Sequence, residues 1–263
     1  LLLNKSISNK GHIKLLPINS VSNFRDASIG SKMKKNLLFR CAKLSTLISK
    51  DIDILEKANL YAIIDFRDPK EIKKAPDNLS PNLSKKYVNL PISASTLERM
   101  VTQKNIEGDN INTYEKVMEA SYKLYINEHK HIWKEFINIL LNSNKKPVIF
   151  HCTAGKDRTG IASFIIQKIL DNPMDEIYKN YLLSNNLLTI KAATAEQTTT
   201  SKSNDNLVTD IMLETLAKVK KSYLLSAINQ INLKHQSLKG YLLEGLGFQQ
   251  SDINQLKKLY CYE

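Results

Sequence analysis

The sequence predicts an α/β fold with a largely parallel central sheet, helices on both faces and a helical C-terminal region. Three observations carry this. Short apolar runs bounded by polar turns alternate with stretches of helical apolar spacing through the first two thirds of the chain. Val148, Ile149 and Phe150 form a wholly apolar run after Pro147, which suits a central strand covered on both faces. From residue 207 onward only helical spacing is left.

The elements follow in order. Residues 12–18, 36–40, 60–66 and 87–91 read as strands broken by polar turns, and Ile52, Leu55 and Ala58 give 49–59 a helical face with Ser49 as its cap. In 112–141, Val117, Leu124, Ile132, Phe136, Ile139 and Leu140 recur at helical spacing, and Lys145, Lys146 and Pro147 stop that helix before the strand at 148–150. A helix over 161–170 ends at Asp171, Asn172 and Pro173, and the next begins near Pro173. Residues 192–206 are poor in large apolar side chains and read as a mobile segment or lid. Leu216, Val219, Tyr223 and Ile228 restore the helical pattern, and Gly245 to Phe248 separate two final helices, the last capped by Ser251.

Composition narrows the function classes. The chain has 263 residues, 42% of them hydrophobic and 24% charged, enough for one globular domain over 1–263 without disulfides or a structural metal. Cys41, Cys152 and Cys261 are odd in number and far apart, so neither a disulfide framework nor a zinc site is spelled out, and a reducing compartment is expected. Lys plus Arg number 38 against 26 Asp plus Glu, a net +12 that favours anionic partners. The lysines are scattered, and no arginine-rich arm or DNA-binding motif points to nucleic acid. No apolar run approaches the roughly 18 residues that span a bilayer. A start at Leu1 leaves a targeting segment open.

The chemistry concentrates in His151-Cys152-Thr153-Ala154-Gly155-Lys156-Asp157-Arg158-Thr159-Gly160, between the strand ending at Phe150 and a helix. A loop in that position aims backbone N–H groups and a helix dipole at one point, a site for a dianionic phosphate built from residues 153–159. The same donors favour a thiolate at Cys152, the candidate nucleophile. Arg158 can grip two phosphate oxygens with its planar fork, where lysine could not. Gly155 lets the backbone curl around an anion, and the Thr159 hydroxyl can support the thiolate as it leaves. Asp157 is the candidate general acid, and Lys156 is expected to point a cation at the pocket mouth.

HCTAGKDRTG resembles the phosphate loop of cysteine-dependent protein tyrosine phosphatases: HC, five residues, R, then S or T. More narrowly it is similar to the bacterial tyrosine and phosphoinositide phosphatases that carry GKDR in the loop. Further matches run in that family's order: Asn23-Phe24-Arg25-Asp26, Phe39-Arg40, Leu44-Ser45, Ile64-Asp65-Phe66-Arg67, Tyr241-Leu242-Leu243, Leu246-Gly247 and Asp252-Ile253. The resemblance implies a phosphatase-like α/β fold, no metal or organic cofactor, a phosphocysteine intermediate, and an acid within the loop rather than on a Trp-Pro-Asp segment. Asp157 inherits that role. Substrates would be phosphotyrosine proteins or phosphoinositide lipids, with transient contact at a membrane surface, in the cytoplasm or, as a bacterial effector, in a host cell cytosol.

Other residues take blander readings. His151 is expected to orient the loop, and Arg25, Asp26, Arg40, Asp65 and Arg67 to form buried ion pairs that brace it. Cys41, where the family usually has Ser, reads as a small core residue. The alternatives from other classes are a phosphate-binding adaptor that has lost turnover and a sulfurtransferase. The first is disfavoured by the presence of nucleophile, arginine and acid together, the second by Arg158-Thr159-Gly160.

Overall fold

The computed structural model describes residues 16–93, 111–188 and 210–262, so the segment at 192–206 lies outside the described residues. In chain order the elements are β1 (Arg25–Asp26), β2 (Leu38–Cys41), α1 (Ser49–Lys57), β3 (Ala62–Asp65), α2 (Pro69–Lys74), α3 (Pro81–Ser84), β4 (Tyr87–Asn89), α4 (Ile111–Glu128), α5 (Lys130–Leu141) and β5 (Val148–His151). There follow α6 (Arg158–Ile169), α7 (Met174–Leu182), α8 (Ser184–Leu187), α9 (Asp210–Ala217), α10 (Lys221–His235), α11 (Leu238–Gly240), a π-helical turn at Tyr241–Gly245, and α12 (Gln250–Tyr260).

The strands form one sheet in the order β1-β2-β5-β3-β4. Strands β2, β5, β3 and β4 are parallel, and β1 is antiparallel at the edge. The expected α/β fold with a largely parallel sheet is borne out. Side chains alternate between the faces, as strand geometry requires. Leu38, Ala62, Ile64, Val148 and Phe150 enter the larger core, while Phe39, Cys41, Ile63 and Ile149 enter a smaller one with Leu55 of α1 and Leu83 of α3. In the larger core Phe66 packs on Trp133 and Phe136, and Phe136 on Phe150, with centroids 5.4–5.7 Å apart. This aromatic block sits behind the two strand ends that lead into the candidate site.

Several expected boundaries move. The helix expected over 112–141 is two, broken at His129 (φ −113°, ψ 31°) with neither Gly nor Pro to signal it. The break leaves helix-end carbonyls without their usual donors. Buried side chains supply them: Trp133 Nε1 donates to the Tyr125 carbonyl at 2.9 Å, and Tyr241 Oη to that of Ile126 at 3.2 Å. Ser49 does not cap α1, whose N-cap is Ile48 without a side-chain bond. Ser251 does not cap α12 either, because Asp252 reaches back to accept from the backbone N–H of Gln249 at 2.7 Å. Residues 16–18 of the strand expected at 12–18 form no strand, and Leu16 and Ile18 are buried against the smaller core.

Phe136 joins both site-bearing strands through its ring contacts, so Phe136→Ala should cost about 3–5 kcal/mol of stability. A drop in the urea midpoint at unchanged slope would register this, whereas a loss under 1 kcal/mol would mean that the block is not a continuous support.

Candidate active site

Strand β5 lies at the centre of the sheet, and its last residue, His151, is paired with Cys41 of β2 and Asp65 of β3. The chain then turns through residues 152–157 into α6, which begins at Arg158. Ligand sites of parallel sheets lie at the carboxyl ends of strands, where loops and helix N-termini meet. Three successive carbonyls of this loop are engaged from outside. Thr153 accepts from the Lys43 backbone N–H at 3.1 Å, Ala154 from Asn23 Nδ2 at 3.0 Å, and Gly155 from Asn23 Nδ2 and an Arg40 Nη at 2.9 Å. In a trans peptide the N–H points opposite to the C=O, so the amides of Ala154, Gly155 and Lys156 face the inside of the turn. Gly155 has φ +67°, and a Cβ there would lie 2.1 Å from the Cys41 carbonyl oxygen. Only glycine fits that approach.

Cys152 is 2% exposed at the floor of the loop. The Thr159 hydroxyl is buried and has no hydrogen-bond partner among the described residues, which leaves it available to a sulfur. Arg158 is held by a carboxylate that the sequence reading did not single out. Its two terminal nitrogens donate to the two oxygens of Glu71 at 2.6 Å each, and one of them also to the carbonyl of Ile92 at 3.0 Å. Thr153 Oγ1 donates to the same carboxylate, so its hydroxyl serves this clamp. Burial works against the charge on Glu71, but the Arg158 guanidinium and the hydrogen bonds from Arg158 and Thr153 outweigh it and bring its pKa down to about 2. Glu71 stands at the third position of α2, its carboxylate accepting from the Asp68 N–H at 3.0 Å while Asp68 accepts from the N–H groups of Lys70 and Glu71. That capping box is spelled by Asp68-Pro69-Lys70-Glu71, a signal the sequence offers.

The bracing residues divide differently from expectation. Asp65 and Arg67 are a buried pair at 2.8 Å, and Arg67 lies equally close to Asp77, a further residue not singled out from the sequence. His151 faces Asp77 at 3.2 Å and Asp65 at 3.7 Å, so the residue before Cys152 is fixed by two carboxylates. The ligand atoms of Asp65, Asp77 and His151 lie close enough to hold a metal ion, but the Arg67 guanidinium already supplies the cation there. Arg25 and Arg40, by contrast, pair with no carboxylate among the described residues. They are opposite one another across β1 and β2. Arg25 donates to Asn23, to the Asn180 carbonyl and to Ser184 Oγ, and Arg40 to the Gly155 carbonyl and Asn180 Oδ1. Asp26 points away and accepts from the backbone N–H groups of Ser28 at 2.8 Å and Asn36 at 2.7 Å, closing a turn.

Asp157 occupies the N-cap of α6, where a carboxylate ordinarily accepts from the first turn, yet it makes no such bond. Its Oδ1 accepts instead from Tyr122 Oη at 2.8 Å, and Oδ2 faces Lys156 Nζ at 3.5 Å. Lys156 differs from expectation. It is 4% exposed, and its ammonium donates to the Leu216 carbonyl of α9 rather than standing at an open mouth. The reason is chemical: a cation beside an apolar wall takes the nearest helix-end carbonyl. Cys41 is a buried core residue as expected, on the opposite face of the sheet from Cys152.

Because Glu71 is held at about 2 in the fold against 4.5 ordinarily, its ionised form contributes stability that is fully present above about pH 4.5 and is lost as pH falls toward 2. Glu71→Gln should therefore flatten the acid side of the stability curve in that window as well as lowering stability at neutral pH. Parallel wild-type and variant curves below pH 4.5 would show that the clamp is not formed in solution.

The sequence pattern of the tyrosine phosphatase family matches residues 16–262. A Cupriavidus necator protein assigned to the tyrosine-protein phosphatases is 25% identical over 250 residues, which cover 93% of this chain and 88% of that one. The triple specificity protein phosphatase PtpB of Mycobacterium tuberculosis is 22% identical over 262 residues, 89% of this chain and 95% of its own. A tyrosine-protein phosphatase of Nostoc commune is 28% identical over 145 residues, 55% and 47% of the two chains. A match that runs through the sheet, the loop and the C-terminal helices alike leaves one conclusion: this chain belongs to the tyrosine phosphatase family.

Proposed function

We propose that the protein is a single phosphatase unit that hydrolyses phosphate monoesters through a phosphocysteine on Cys152. The observation that carries this is the loop whose Thr153, Ala154 and Gly155 carbonyls are bound from outside, with Cys152 at its floor and Arg158 at its rim. The inward amides and Arg158 bind the phosphate oxygens, and the Cys152 thiolate attacks phosphorus along the line of the leaving oxygen. The S–P bond forms as the P–O ester bond breaks, and Asp157 gives its proton to the departing oxygen. Water then attacks phosphorus, Asp157 takes a proton from it, and the S–P bond breaks to return the thiolate beside the Thr159 hydroxyl. No metal or organic cofactor is required by these steps.

Phosphotyrosine proteins are the favoured substrates. Lys156, the loop cation that could answer a second phosphate on an inositol headgroup, is instead occupied by Leu216 and Asp157. The phosphoinositide reading keeps a specific support in the net charge of +12, which draws the protein to anionic surfaces and to transient contact with them. No described helix is long and apolar enough to cross a membrane. A cytoplasmic setting, the protein's own or a host cell's, is part of this reading, supported by the odd number and wide spacing of the cysteines.

Cys152→Ser tests the mechanism. It should abolish phosphate release from a phosphotyrosine peptide and from phosphoinositides while keeping phosphate binding, since the loop donors remain; binding lost along with turnover would favour a collapsed loop, and residual turnover would exclude the covalent path. Retained phosphate binding with no wild-type turnover on either substrate would point to an adaptor. Asp157→Asn should slow phosphotyrosine about 10²- to 10⁴-fold and an activated aryl phosphate far less, because only a basic leaving oxygen needs the proton. Equal losses on both would move the acid to another residue.

A further inference from the structure

Asp157 is not held by its own loop. Tyr122 of α4 reaches it at 2.8 Å, and Tyr122 Oη lies 2.7 Å from Tyr181 Oη of α7. Both tyrosines are buried, so neither hydroxyl is available to bulk solvent. The direction of this chain follows from counting protons. Tyr122 has one, and an ionised Asp157 can only accept it. Tyr181 must then donate to Tyr122, and the order is Tyr181 to Tyr122 to Asp157 Oδ1. Burial, and after it the Asp157 charge, push both tyrosines well above the usual phenol range, so both stay protonated donors wherever the enzyme works.

We propose that Tyr122, backed by Tyr181, is the positioning residue for the Asp157 carboxyl, holding Oδ1 so that Oδ2 is the oxygen that gives up and takes back the proton. The proposal rests on Asp157 being the acid. Oδ1 is tied down by a buried phenol donor, and among the described residues Oδ2 faces the Lys156 ammonium, at 3.5 Å. The bond also does what an N-cap bond would do for the carboxylate's orientation, but aims it across the loop instead of down the helix axis. When Asp157 is protonated on Oδ2 the hydroxyl chain keeps its direction, so delivering the proton needs no rearrangement behind it.

Other titratable and charged groups face this carboxyl. Tyr125 of α4 and Tyr223 of α10 both sense the Asp157 charge, and Tyr223 Oη is buried without a hydrogen-bond partner among the described residues. Lys156 adjoins Asp157, and Arg40 of β2 faces Tyr181 and Tyr122 from below. Arg158 is paired with Glu71. None of these donates to Oδ1. Removing the Tyr122 hydroxyl therefore strips a single donor from the charged form while leaving its ring packed on Tyr125 and Tyr223.

The test is the pH profile of kcat/KM for wild type, Tyr122→Phe and Asp157→Asn on phenyl phosphate, a poor leaving group, and on 4-nitrophenyl phosphate, an activated one. Tyr122→Phe should lose about tenfold on phenyl phosphate and less than about twofold on 4-nitrophenyl phosphate. Its basic limb should move up by as much as about one pH unit, because a carboxylate that has lost a donor holds its proton longer. Vanadate binding and melting temperature should stay near wild type. If Tyr122→Phe fails to fold, Tyr181→Phe takes its place, with a smaller upward shift. An unmoved basic limb, or equal losses on both esters, overturns the proposal when Asp157→Asn still discriminates between the esters. Loss of discrimination in Asp157→Asn overturns the assignment of the acid and the positioning role with it.

Discussion

A loop that turns its amide hydrogens toward one point must turn its carbonyls the other way, and those carbonyls need partners. Most of what surrounds the candidate site can be traced to that requirement. Asn23 supplies two of the bonds, Arg40 a third and the Lys43 backbone a fourth, so β1, β2 and the turns beside them are recruited to the outer rim of a loop far away in sequence. Asn23 adopts a positive φ of 59° to reach it, a conformation that asparagine tolerates better than most residues. Gly155 answers the same demand from inside, because its backbone lies against the Cys41 carbonyl at a distance that admits no side chain. The loop is thus rigid before any anion arrives, and rigidity is what lets fixed dipoles stabilise charge without reorganising.

Charge around the loop is balanced unevenly. Arg158 is matched by Glu71, and Arg67 by Asp65 and Asp77. Among the described residues Arg25 and Arg40 meet only neutral acceptors, although like charges opposed across two strands are unfavourable and buried charges lose their hydration. Burial, and beside it the charge of Arg40, work against the charge on Arg25. A surplus of positive charge under a phosphate loop is costly in the free protein and useful once a dianion is bound. The proposed substrate supplies the counter-charge that the polypeptide withholds.

The sheet and the phosphate loop were legible in the sequence for a physical reason. Strands β2, β3, β4 and β5 are written in short apolar runs, and the loop's residue types are fixed by contacts within the loop and by one helix N-terminus. Glu71 was legible too, through its capping box, but a capping box describes only the start of a helix, and nothing local says that the same carboxylate clamps an arginine 87 positions on. Asp77 and Tyr122 carry no local signal at all. Their roles exist only because the chain returns to the loop from outside. The His129 break escaped notice because side chains distant in sequence or across the turn, Tyr241 and Trp133, complete its hydrogen bonds. Arg25 and Arg40 were misread because buried arginines are expected beside carboxylates, whereas here asparagines, a serine and backbone carbonyls take that place.

Two neighbouring residues of the loop are therefore governed by different parts of the fold. The backbone of residues 153–156 is set by the sheet and its edge, while the side chains of Lys156 and Asp157 are set by helices: Leu216 of α9 takes the first, Tyr122 of α4 and Tyr181 of α7 the second. Phosphate is the part common to every monoester, and in the proposed mechanism it meets the sheet-borne amides and Arg158. Sequence changes in α4, α7 and α9 can then shift the Lys156 and Asp157 side chains, and with them the proposed proton delivery, without touching the amides of the loop. A loop sequence alone fixes the backbone and its donors far more tightly than it fixes where Lys156 and Asp157 point, because those side chains answer to elements the loop does not contain.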